Sequence, residues 1–495
     1  MRPLNPIQKS LSEIEEFLGL ESRHTNLEIS GLTSNSQEIL VGDLFIAVQG
    51  VGSSSRHGGE FAPQAIENGA VAILSDGKYS FSGVALPIIE LSHLSSVIGD
   101  LASWFYSHPS RSMVTVGITG TNGKTTTAAL LSQLWRFAGR ESGCIGTLGI
   151  EVGSEHFAGT HTTPEATNLQ SALAVMAERH ITHTVMEVSS HSLVQRRVSG
   201  TRFSLVGFTN LSQDHLDFHQ TMADYFAAKA KLFTLEFADL GFINIDDLHG
   251  QKLLDISEIP VVTLSRLNTA ATWHYVRADL GSAGFEIAIR GTGGILIEGF
   301  LPLIGAHNLD NALMAIAMAV ESGVDPLLIA ARLPEIRGVA GRLEKIELGQ
   351  EFSAVVDFAH SPDSVARVLE TLRASTSGKL IAVLGCGGDR DKTKRPLMGS
   401  ALVAGSDIAI FTSDNPRSED PAEILKDMTS SLNLPESAHI ELDRRNAIAQ
   451  AVALAGPGDC VAILGKGHES GQEVNGVKTP FDDRLELAQA IGGVQ

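Results

Sequence analysis

The segment 119–126, which reads Thr-Gly-Thr-Asn-Gly-Lys-Thr-Thr, constrains the fold of this chain more than any other stretch. It follows an apolar run at 113–118 that is typical of a buried strand, and apolar residues at helical spacing follow it as far as Gly139. A strand, a glycine-containing turn, Lys-Thr and a helix form the arrangement that holds the phosphates of a nucleoside triphosphate. The pattern GxxxxGK[ST] is not met strictly, because Ile118 stands in place of its first glycine. We predict ATP binding, since a surface turn, the alternative for an isolated Gly-Lys-Thr, explains neither the strand nor the helix.

Each residue type of this loop has a role in the prediction. Lys124 would reach the β and γ phosphate oxygens, and the hydroxyl of Thr125 can ligate Mg²⁺. Backbone N–H groups and the N-terminus of the following helix would face the phosphates. The predicted ATP contacts are Gly120, Thr121, Asn122, Gly123, Lys124, Thr125 and Thr126.

Length, charge and cysteine usage narrow the class of protein. A chain of 495 residues is too long for one hydrophobic core, so we expect roughly two to four domains. The formal charge of −20 argues against a nucleic-acid partner but leaves a small anionic substrate open. Cys144, Cys386 and Cys460 are scattered without a CxxC motif, which indicates reduced thiols and no structural metal cluster. No stretch resembles a signal peptide or a membrane span, and we expect a soluble cytoplasmic monomer.

Three segments can be separated along the chain, and together they indicate an α/β protein. Residues 1–91 contain short strands and a helix, and they indicate a small α/β domain. Residues 92–343 carry the phosphate loop and several continuous apolar strands, which predict a P-loop-type ATPase domain with a mostly parallel sheet. Residues 344–495 alternate strands with helical patterns, which predicts a Rossmann-like doubly wound domain whose ligands lie beyond the carboxyl ends of its strands.

Three further motifs follow strand-like runs in the central segment. They are Glu-Val-Ser-Ser-His at 187–191, Asn-Leu-Ser-Gln-Asp-His-Leu-Asp at 210–217 and Tyr-Phe-Ala-Ala-Lys at 225–229. Each has an ordinary explanation when taken alone: a solvated glutamate, a helix-capping Asp-His pair and a solvent-facing lysine. In this order and with the phosphate loop, however, the set resembles the Mur ligases, which form amides with ATP during peptidoglycan precursor synthesis. The resemblance covers essentially the whole chain and rests on GTNGKTT, MEVSSHSLVQRRV, LSQDHLDFH, YFAAK, HNLDNA, AGRLE, DFAHSPD, GCGGDRDKTKRPLMG, SDNPRSEDP and GKGHE.

This resemblance implies an N-terminal domain for the UDP moiety, a central ATPase domain and a C-terminal domain for the incoming amino acid. The motifs are most similar to those of the family members that add meso-diaminopimelate to UDP-N-acetylmuramoyl-L-alanyl-D-glutamate (UDP-MurNAc-L-Ala-D-Glu). In that reaction a substrate carboxylate must approach the γ-phosphate of ATP, and cations must neutralise the two anions. The family's route passes through an acyl phosphate, and closure of the domains around the ligands would exclude water from it.

The catalytic residues implied by the resemblance are Lys124, Glu187, His215 and Lys229. Thr125 and Glu187 would hold one Mg²⁺, and a second ion would lie near His215, although a histidine is an unusual Mg²⁺ ligand. An ammonium beside Mg²⁺ would repel it, and the resemblance implies that CO₂ carbamylates Lys229 to N6-carboxylysine, a carboxylate-like ligand. A lysine whose surroundings depress its pKa can supply the neutral amine that this modification needs.

For the remaining parts of ATP, the resemblance implies Asn308 and Asn311 near adenine, and Arg342 and Asp357 toward phosphate and ribose. Helix capping is an equally weighted alternative for the two asparagines. The family pattern DYAHTPD is altered here at Phe358 and Ser361, so the tyrosine hydroxyl is missing.

The muramoyl dipeptide would contact residues of the central segment that match the family's substrate positions. These are Thr162, Thr163, Ser189, Gln195 and Arg197. In the first segment, Ser34 and Ser36 match the uridine-binding region, with a polar turn as the alternative. The loop 51–56 is longer than the common pattern, and we assign no uracil contact to it.

Asp414, Asn415, Pro416 and Arg417 follow a predicted strand at 407–412. An exposed turn is the alternative for an isolated Asp-Asn-Pro, but the resemblance implies the amino-acid site. Arg417 can pair with the distal carboxylate of meso-diaminopimelate, while Asp414 or Glu469 takes its ammonium. Arg390 and Gly465 match further contacts with this substrate.

Two alternatives compete with this interpretation. Folylpolyglutamate synthases share the ATPase design and the amide chemistry, but the DNPR and LSQDHLD segments and the extra N-terminal domain fit them poorly. A catalytically silent scaffold with the same fold would be expected to lose phosphate-loop or metal residues, whereas Lys124, Glu187, His215 and Lys229 are all present.

Overall fold

The structure is a computed structural model that describes residues 1–5, 8–24, 27–50, 56–159, 161–281 and 284–494. Three main sheets follow one another along the chain, each with helices packed against it. The mixed α/β fold class predicted from the sequence is therefore confirmed. No helix in the described part of the chain combines the length and apolarity that a membrane crossing requires.

The first sheet has four parallel strands, and a short antiparallel ribbon of Lys9–Ser10 with Glu28–Ile29 stands beside it. The strands are Gly31–Thr33, Asp43–Ala47, Ala72–Ser75 and Ile88–Glu90. Helices Leu11–Phe17 and Ala62–Glu67 belong to this part. Helix Ile98–Phe105 contributes Leu101, Ala102 and Phe105 to the same apolar core, so the first sheet is covered by residues beyond the predicted boundary at 91.

The central sheet has eleven strands, and parallel pairing dominates its middle. In spatial order the strands are Glu155–Phe157, Gly149–Val152, Ser142–Gly146, His183–Glu187, Val114–Thr119, Phe203–Phe208, Ala238–Asn244, Val261–Ser265, Trp273–Leu280, Phe285–Arg290 and Leu296–Leu301. The outer strands at both edges pair antiparallel. The inner strands place apolar residues on both faces of the sheet, because helices cover both sides.

Helices Lys124–Phe137 and Ala306–Glu321 pack in one core of the central sheet, and helices Ala166–Glu178 and Met222–Ala230 contribute to the other. Shorter helices connect these elements: Ser190–Val194, Leu216–His219, Leu248–Ile256 and Pro326–Arg332. The strand at Val114–Thr119 and the helix at Lys124–Phe137 enclose the phosphate loop as the sequence predicted.

The C-terminal sheet has six strands in the order Glu344–Lys345, Ser353–Asp357, Cys460–Leu464, Leu380–Leu384, Ile408–Phe411 and His439–Ile440. All pairs are parallel except the first. Helices Pro362–Ser375, Lys394–Gly405 and Pro421–Thr429 cover one face, and Arg444–Leu454 and Asp483–Val494 cover the other. A hairpin of Gly471–Val474 and Val477–Pro480 stands beside this doubly wound unit.

Candidate functional site

A cleft of about 340 Å³ is lined by loops that follow strands of the central sheet and of the C-terminal sheet. Ligands of doubly wound sheets bind at this edge, beyond the carboxyl ends of the strands. The central sheet contributes Thr121, Asn122, Gly123, Lys124, Thr125, Thr126, Thr147, Thr162, Glu187, Ser189, Asp214, His215 and Asp217. The C-terminal part contributes Phe358, His360, Gly385, Cys386, Gly387, Arg390, Asp391, Lys394, Met398, Asp414, Asn415, Arg417, Gly465 and Glu469, and Arg342 lies between the two parts.

The phosphate loop lines the cleft from Thr121 to Thr126 and depends on two glycines with positive φ. Gly120 has φ 147° and Gly123 has φ 89°, and a Cβ on Gly123 would lie 2.2 Å from Oδ1 of Asn311. The ammonium of Lys124 donates to the carbonyl oxygens of Gly120 and Thr121 at 2.9 Å each. Burial lowers the pKa of Lys124. The loop thus brings a half-buried lysine, held by two backbone carbonyls, to the cleft.

Thr125 and Glu187 are in direct contact at the inner end of the cleft. The Thr125 hydroxyl donates to Oε2 of Glu187 at 2.9 Å, and the backbone N–H of Thr147 donates to Oε1 of the same carboxylate at 2.8 Å. The guanidinium of Arg342 donates to Oγ1 of Thr125 at 3.1 Å. A hydroxyl and a carboxylate side by side are the oxygen ligands that Mg²⁺ prefers, so this pair fits the predicted ion.

His215 lies at a left-handed backbone position, with φ 55°, at the start of helix Leu216–His219. Its ring packs edge-on against His191, with 4.8 Å between ring centroids. Burial lowers the pKa of His215 to about 3, which favours the neutral imidazole that a metal ligand requires. Burial alone would raise the pKa of the adjacent Asp214, but His215, Lys394 and His360 hold it below its usual range.

Lys229 is 1% exposed and does not line the cleft. Its amine donates to the carbonyl of Gly120 at 2.8 Å and lies 4.6 Å from the ring centroid of Tyr225. Burial, and then the charge of Lys124, lower the pKa of Lys229 well below its usual value. A neutral amine reacts with CO₂, so this environment suits the predicted carbamylation.

Across the described ranges, no group of three or more His, Cys, Asp or Glu side chains is arranged to hold a metal ion. A magnesium site would therefore need oxygen donors of other kinds, such as the Thr125 hydroxyl and a modified Lys229. Only Thr125 and Glu187 of the four predicted ligands touch each other, and the complete ligand set stays a prediction.

Asn308 and Asn311 lie behind the phosphate loop, not in the cleft. Asn308 donates to the carbonyl of Ile304 at 2.8 Å, and Asn311 donates to Oδ1 of Asn308 at 3.2 Å. The residue at the N-cap of their helix is Gly305, so the capping alternative does not describe either asparagine. Asn311 lies close against Gly123, where a Cβ would meet its Oδ1, and the adenine contact stays a prediction.

Arg342 lines the cleft with its guanidinium 4.5 Å from the ring centroid of Phe358. A phenyl ring offers a cation the same aromatic face that a tyrosine does. Burial lowers the pKa of Arg342, and its Nε has no hydrogen-bond partner. Asp357 lies outside the cleft, where it accepts the backbone N–H groups of Leu343 and Ala359 at 2.7 and 2.8 Å. Asp357 therefore ties together the backbone around Arg342 and Phe358.

The predicted dipeptide residues divide into two groups. Thr162 and Ser189 line the cleft, whereas Thr163, Gln195 and Arg197 lie outside it. Thr163 donates to the carbonyl of Glu187 at 2.8 Å, and Arg197 donates to the carbonyl of Thr163 at 3.1 Å. Oε1 of Gln195 and Nε of Arg197 are buried without a hydrogen-bond partner, so both retain polar capacity for a ligand.

The structure does not bring Ser34 and Ser36 to the cleft. Ser36 is buried in the first domain, where its hydroxyl donates to Oε1 of Gln64 at 2.7 Å. The loop to which we assign no uracil contact lies, at 51–55, outside the described residues. The uridine contacts stay a prediction.

The predicted amino-acid residues meet at one end of the cleft, with Pro416 alone outside its lining. Arg417, at φ 53°, donates to the carbonyl of Gly388 at 2.6 Å, and its Nε lies 3.7 Å from Glu473. Burial, and then the nearby charge of Arg417, lower the pKa of Arg390. Two guanidinium groups that repel each other would both gain from an anion between them.

Carboxylates, which carry the opposite charge to Arg390 and Arg417, line the same part of the cleft. Asn415 donates to Oε2 of Glu469 at 2.8 Å, and burial raises the pKa of Asp414. This end of the cleft thus combines an arginine pair with two carboxylates, an arrangement that suits a ligand with both an ammonium and a carboxylate.

Asp214, His360 and Lys394 are among the cleft residues that were not predicted as site residues. Lys394 lies 3.6 Å from Asp214 across the two domains, and His360 lies 3.9 Å from the same carboxylate. All three stand inside motifs that carry the family resemblance, and Asp214 and Lys394 are charged. Their pairing could not be predicted, because it joins the central segment to the C-terminal segment.

Comparison with known proteins shows the family to which this chain is similar. Residues 118–319 match the Mur ligase middle domain, and residues 341–467 match the Mur ligase glutamate ligase domain. A relative from Streptomyces coelicolor, named UDP-N-acetylmuramoyl-L-alanyl-D-glutamate--2,6-diaminopimelate ligase, is 43% identical over 100% of this chain and 98% of its own length. The chain belongs to the Mur ligase family.

Another relative and two solved structures resemble this Mur ligase. A protein of the same printed name from Aquifex aeolicus is 40% identical over 94% of each chain. A solved structure with that name is 33% identical, has a TM-score of 0.67 and covers 98% of this chain and 99% of its own. Folylpolyglutamate synthase from Mycobacterium tuberculosis, solved with ADP and AMPPCP, is 19% identical with a TM-score of 0.61, and this likeness shows the fold alone.

Proposed function

We propose that this Mur ligase adds meso-diaminopimelate to UDP-MurNAc-L-Ala-D-Glu at the expense of ATP, in the cytoplasm and as a monomer. The observation that carries the proposal is the single cleft in which the phosphate loop faces Arg390, Asp414, Arg417 and Glu469. One side can hold ATP, the other can hold a zwitterionic amino acid, and the acyl substrate must meet both.

The proposed chemistry follows from the groups that line the cleft. The D-glutamate carboxylate of the dipeptide attacks the γ-phosphorus of ATP, which gives an acyl phosphate and ADP. The amine of diaminopimelate then attacks the acyl carbon, and inorganic phosphate leaves as the amide forms. Lys124 and Arg342 both line the cleft, so their charges would lower the repulsion between the two anions bound there.

Thr125 and Glu187 would hold a Mg²⁺ ion, with His215 and carbamylated Lys229 as further ligands. Bound there, the ion would supply positive charge to the phosphates and the acyl oxygen. The neutral imidazole of His215 and the lowered pKa of Lys229 support these two assignments.

The choice of amino acid depends on the charges at the far end of the cleft. Diaminopimelate ends in a carbon that bears both an ammonium and a carboxylate, which match the carboxylates and the arginine pair. Lysine would bring an ammonium without a carboxylate and leave Arg417 without its anion. Truncating one partner of a buried charge pair costs about 2–5 kcal/mol, enough for strong discrimination.

Phosphate release with UDP-MurNAc-L-Ala-D-Glu, compared for diaminopimelate, lysine and ornithine, tests the proposal. We expect turnover with diaminopimelate and rates lower by at least about thirtyfold with the other two. Equal turnover of lysine would contradict the assignment of the amino acid. Saturable ATP hydrolysis that depends on a folate instead of the UDP substrate would favour folylpolyglutamate synthesis.

A further inference from the structure

Lys466 is a fully buried lysine directly behind the amino-acid end of the cleft. It follows the strand Cys460–Leu464, its side chain is 0% exposed, and it does not line the cleft. Its ammonium donates to Oδ1 of Asn415 at 3.0 Å, Oε2 of Glu469 at 3.0 Å and the carbonyl of Gly471 at 2.8 Å. All three donors of the ammonium are therefore used, as burial of a charge requires.

The partners of Lys466 are wall residues of the cleft. Asn415 and Glu469 line it, and so does Asp414, whose carboxylate lies 3.9 Å from the same ammonium. Lys466 thus contacts or approaches three wall residues without reaching the ligand space. A residue in this place acts on a ligand only through the positions and charges of others.

Counting the charges of this wall shows what Lys466 leaves available. In their ionised forms, Asp414 and Glu469 carry two negative charges, and Lys466 supplies one positive charge between them. Arg444, the other buried cation near Asp414, is paired bidentately with Asp483 at 2.8 and 2.7 Å. Asp414 and Glu469, called here the carboxylate pole, therefore keep about one uncompensated negative charge between them. This charge matches one ammonium group of a ligand.

We infer that Lys466 is a positioning residue that sets the amino-acid specificity, an inference that rests on the proposed function. Lys466 neutralises one of the two carboxylates, Asp414 and Glu469. The remaining negative charge can then bind the single distal ammonium of diaminopimelate while Arg390 and Arg417 hold its distal carboxylate. Without Lys466 the pole would be doubly negative. It would attract any cationic side chain and repel the distal carboxylate of diaminopimelate, so the preference over lysine would fall.

The test uses the full-length protein with Lys466→Met, which keeps a long unbranched side chain and removes its charge. Lys466→Gln, which also keeps a hydrogen-bond donor, is the second variant in case the first does not fold. Lys426→Met is the matched control, because Lys426 is exposed on a helix of the same domain and pairs with Glu423. The readouts are kcat/KM for diaminopimelate, kcat/KM for lysine and the KM for ATP.

We expect the ratio of kcat/KM for diaminopimelate to that for lysine to fall by at least about tenfold in a folded Lys466 variant. The KM for diaminopimelate should rise, while the KM for ATP stays within about twofold of wild type and Lys426→Met leaves the ratio unchanged. A ratio is independent of the fraction of active enzyme, so loss of stability alone cannot change it.

An unchanged ratio in a folded variant of Lys466, with diaminopimelate still turned over, would overturn this inference and leave the proposed function standing. A rise in the KM for ATP equal to that for diaminopimelate would also overturn it, because it would indicate general damage. Wild-type protein that does not turn over diaminopimelate would overturn the proposed function and this inference with it.

Discussion

Two lysines, Lys124 in the cleft and the fully buried Lys229, converge on one backbone carbonyl in the central domain. Lys124 and Lys229 both donate to the oxygen of Gly120, at 2.9 and 2.8 Å, and burial lowers the pKa of each. Two ammonium groups at this separation would repel each other, so the arrangement favours a neutral amine on the more buried Lys229. A neutral amine can take up CO₂ and turn a cation beside the phosphates into an anion.

Lys229→Ala should therefore lower kcat on the order of a hundredfold, because a group that stabilises transition-state charge is lost. Short carboxylates such as formate or acetate should restore part of the activity by entering the space of the missing carbamate. Turnover of UDP-MurNAc-L-Ala-D-Glu and diaminopimelate, measured with and without the added acid, checks this.

Lys231→Ala is the matched control, since Lys231 is exposed two residues later and should tolerate the change. Full activity of Lys229→Ala without any added acid would contradict a catalytic role for a carbamate on Lys229.

The helix Lys124–Phe137 is the element on which nucleotide binding depends, and a glycine with positive φ stands at each end of it. Gly123 precedes the helix with φ 89°, and Gly139 follows it with φ 68°. A Cβ on Gly123 would lie 2.2 Å from Oδ1 of Asn311, whereas a Cβ on Gly139 meets no heavy atom within 4 Å. The two positions share backbone strain but differ in the space around them.

Gly123→Ala should raise the KM for ATP by more than about tenfold, because the new methyl group pushes the phosphate loop away from Asn311. Gly139→Ala carries a similar left-handed penalty of roughly 1–2 kcal/mol and should lower stability while the KM for ATP stays near wild type. Nucleotide titration and thermal unfolding of both variants separate the effects. Equal KM values for ATP in the two variants would contradict the role given to Asn311.

Many of the helices and strands can be predicted from the sequence. Apolar runs such as 380–384 and 460–464 predict strands that the structure has at those bounds, because a strand buried on both faces must be apolar throughout. Side-chain partners are different, since they join distant segments. Lys466 with Asn415, or Lys394 with Asp214, could not be derived from spacing. Asn311 shows the same limit, because a helix pattern does not reveal what its polar side chain supports.

Across the whole molecule, polar contacts join the phosphate-loop side of the cleft to the C-terminal part. Arg342 donates to Thr125 at 3.1 Å, Asn122 donates to Asp363 at 3.3 Å, and Lys394 lies 3.6 Å from Asp214. Polar interfaces between domains permit relative motion more readily than large apolar ones. The ligands would add charged contacts to both sides of the cleft, which favours a closed arrangement.

We therefore expect the radius of gyration from small-angle X-ray scattering to decrease when a non-hydrolysable ATP analogue and UDP-MurNAc-L-Ala-D-Glu are added together. Either ligand alone should have a smaller effect, since each fills only part of the cleft. Scattering profiles that stay unchanged with both ligands at saturation would contradict closure.

The central claim is that the cleft lets the substrate carboxylate meet ATP and become an acyl phosphate. The most direct measurement uses UDP-MurNAc-L-Ala-D-Glu with ¹⁸O in the D-glutamate side-chain carboxylate, followed by mass analysis of the phosphate released with diaminopimelate and ATP. We predict one ¹⁸O atom in each phosphate, because the attacking carboxylate oxygen stays on phosphorus when the amine displaces the phosphate group. Released phosphate without ¹⁸O, alongside normal amide formation, would contradict it.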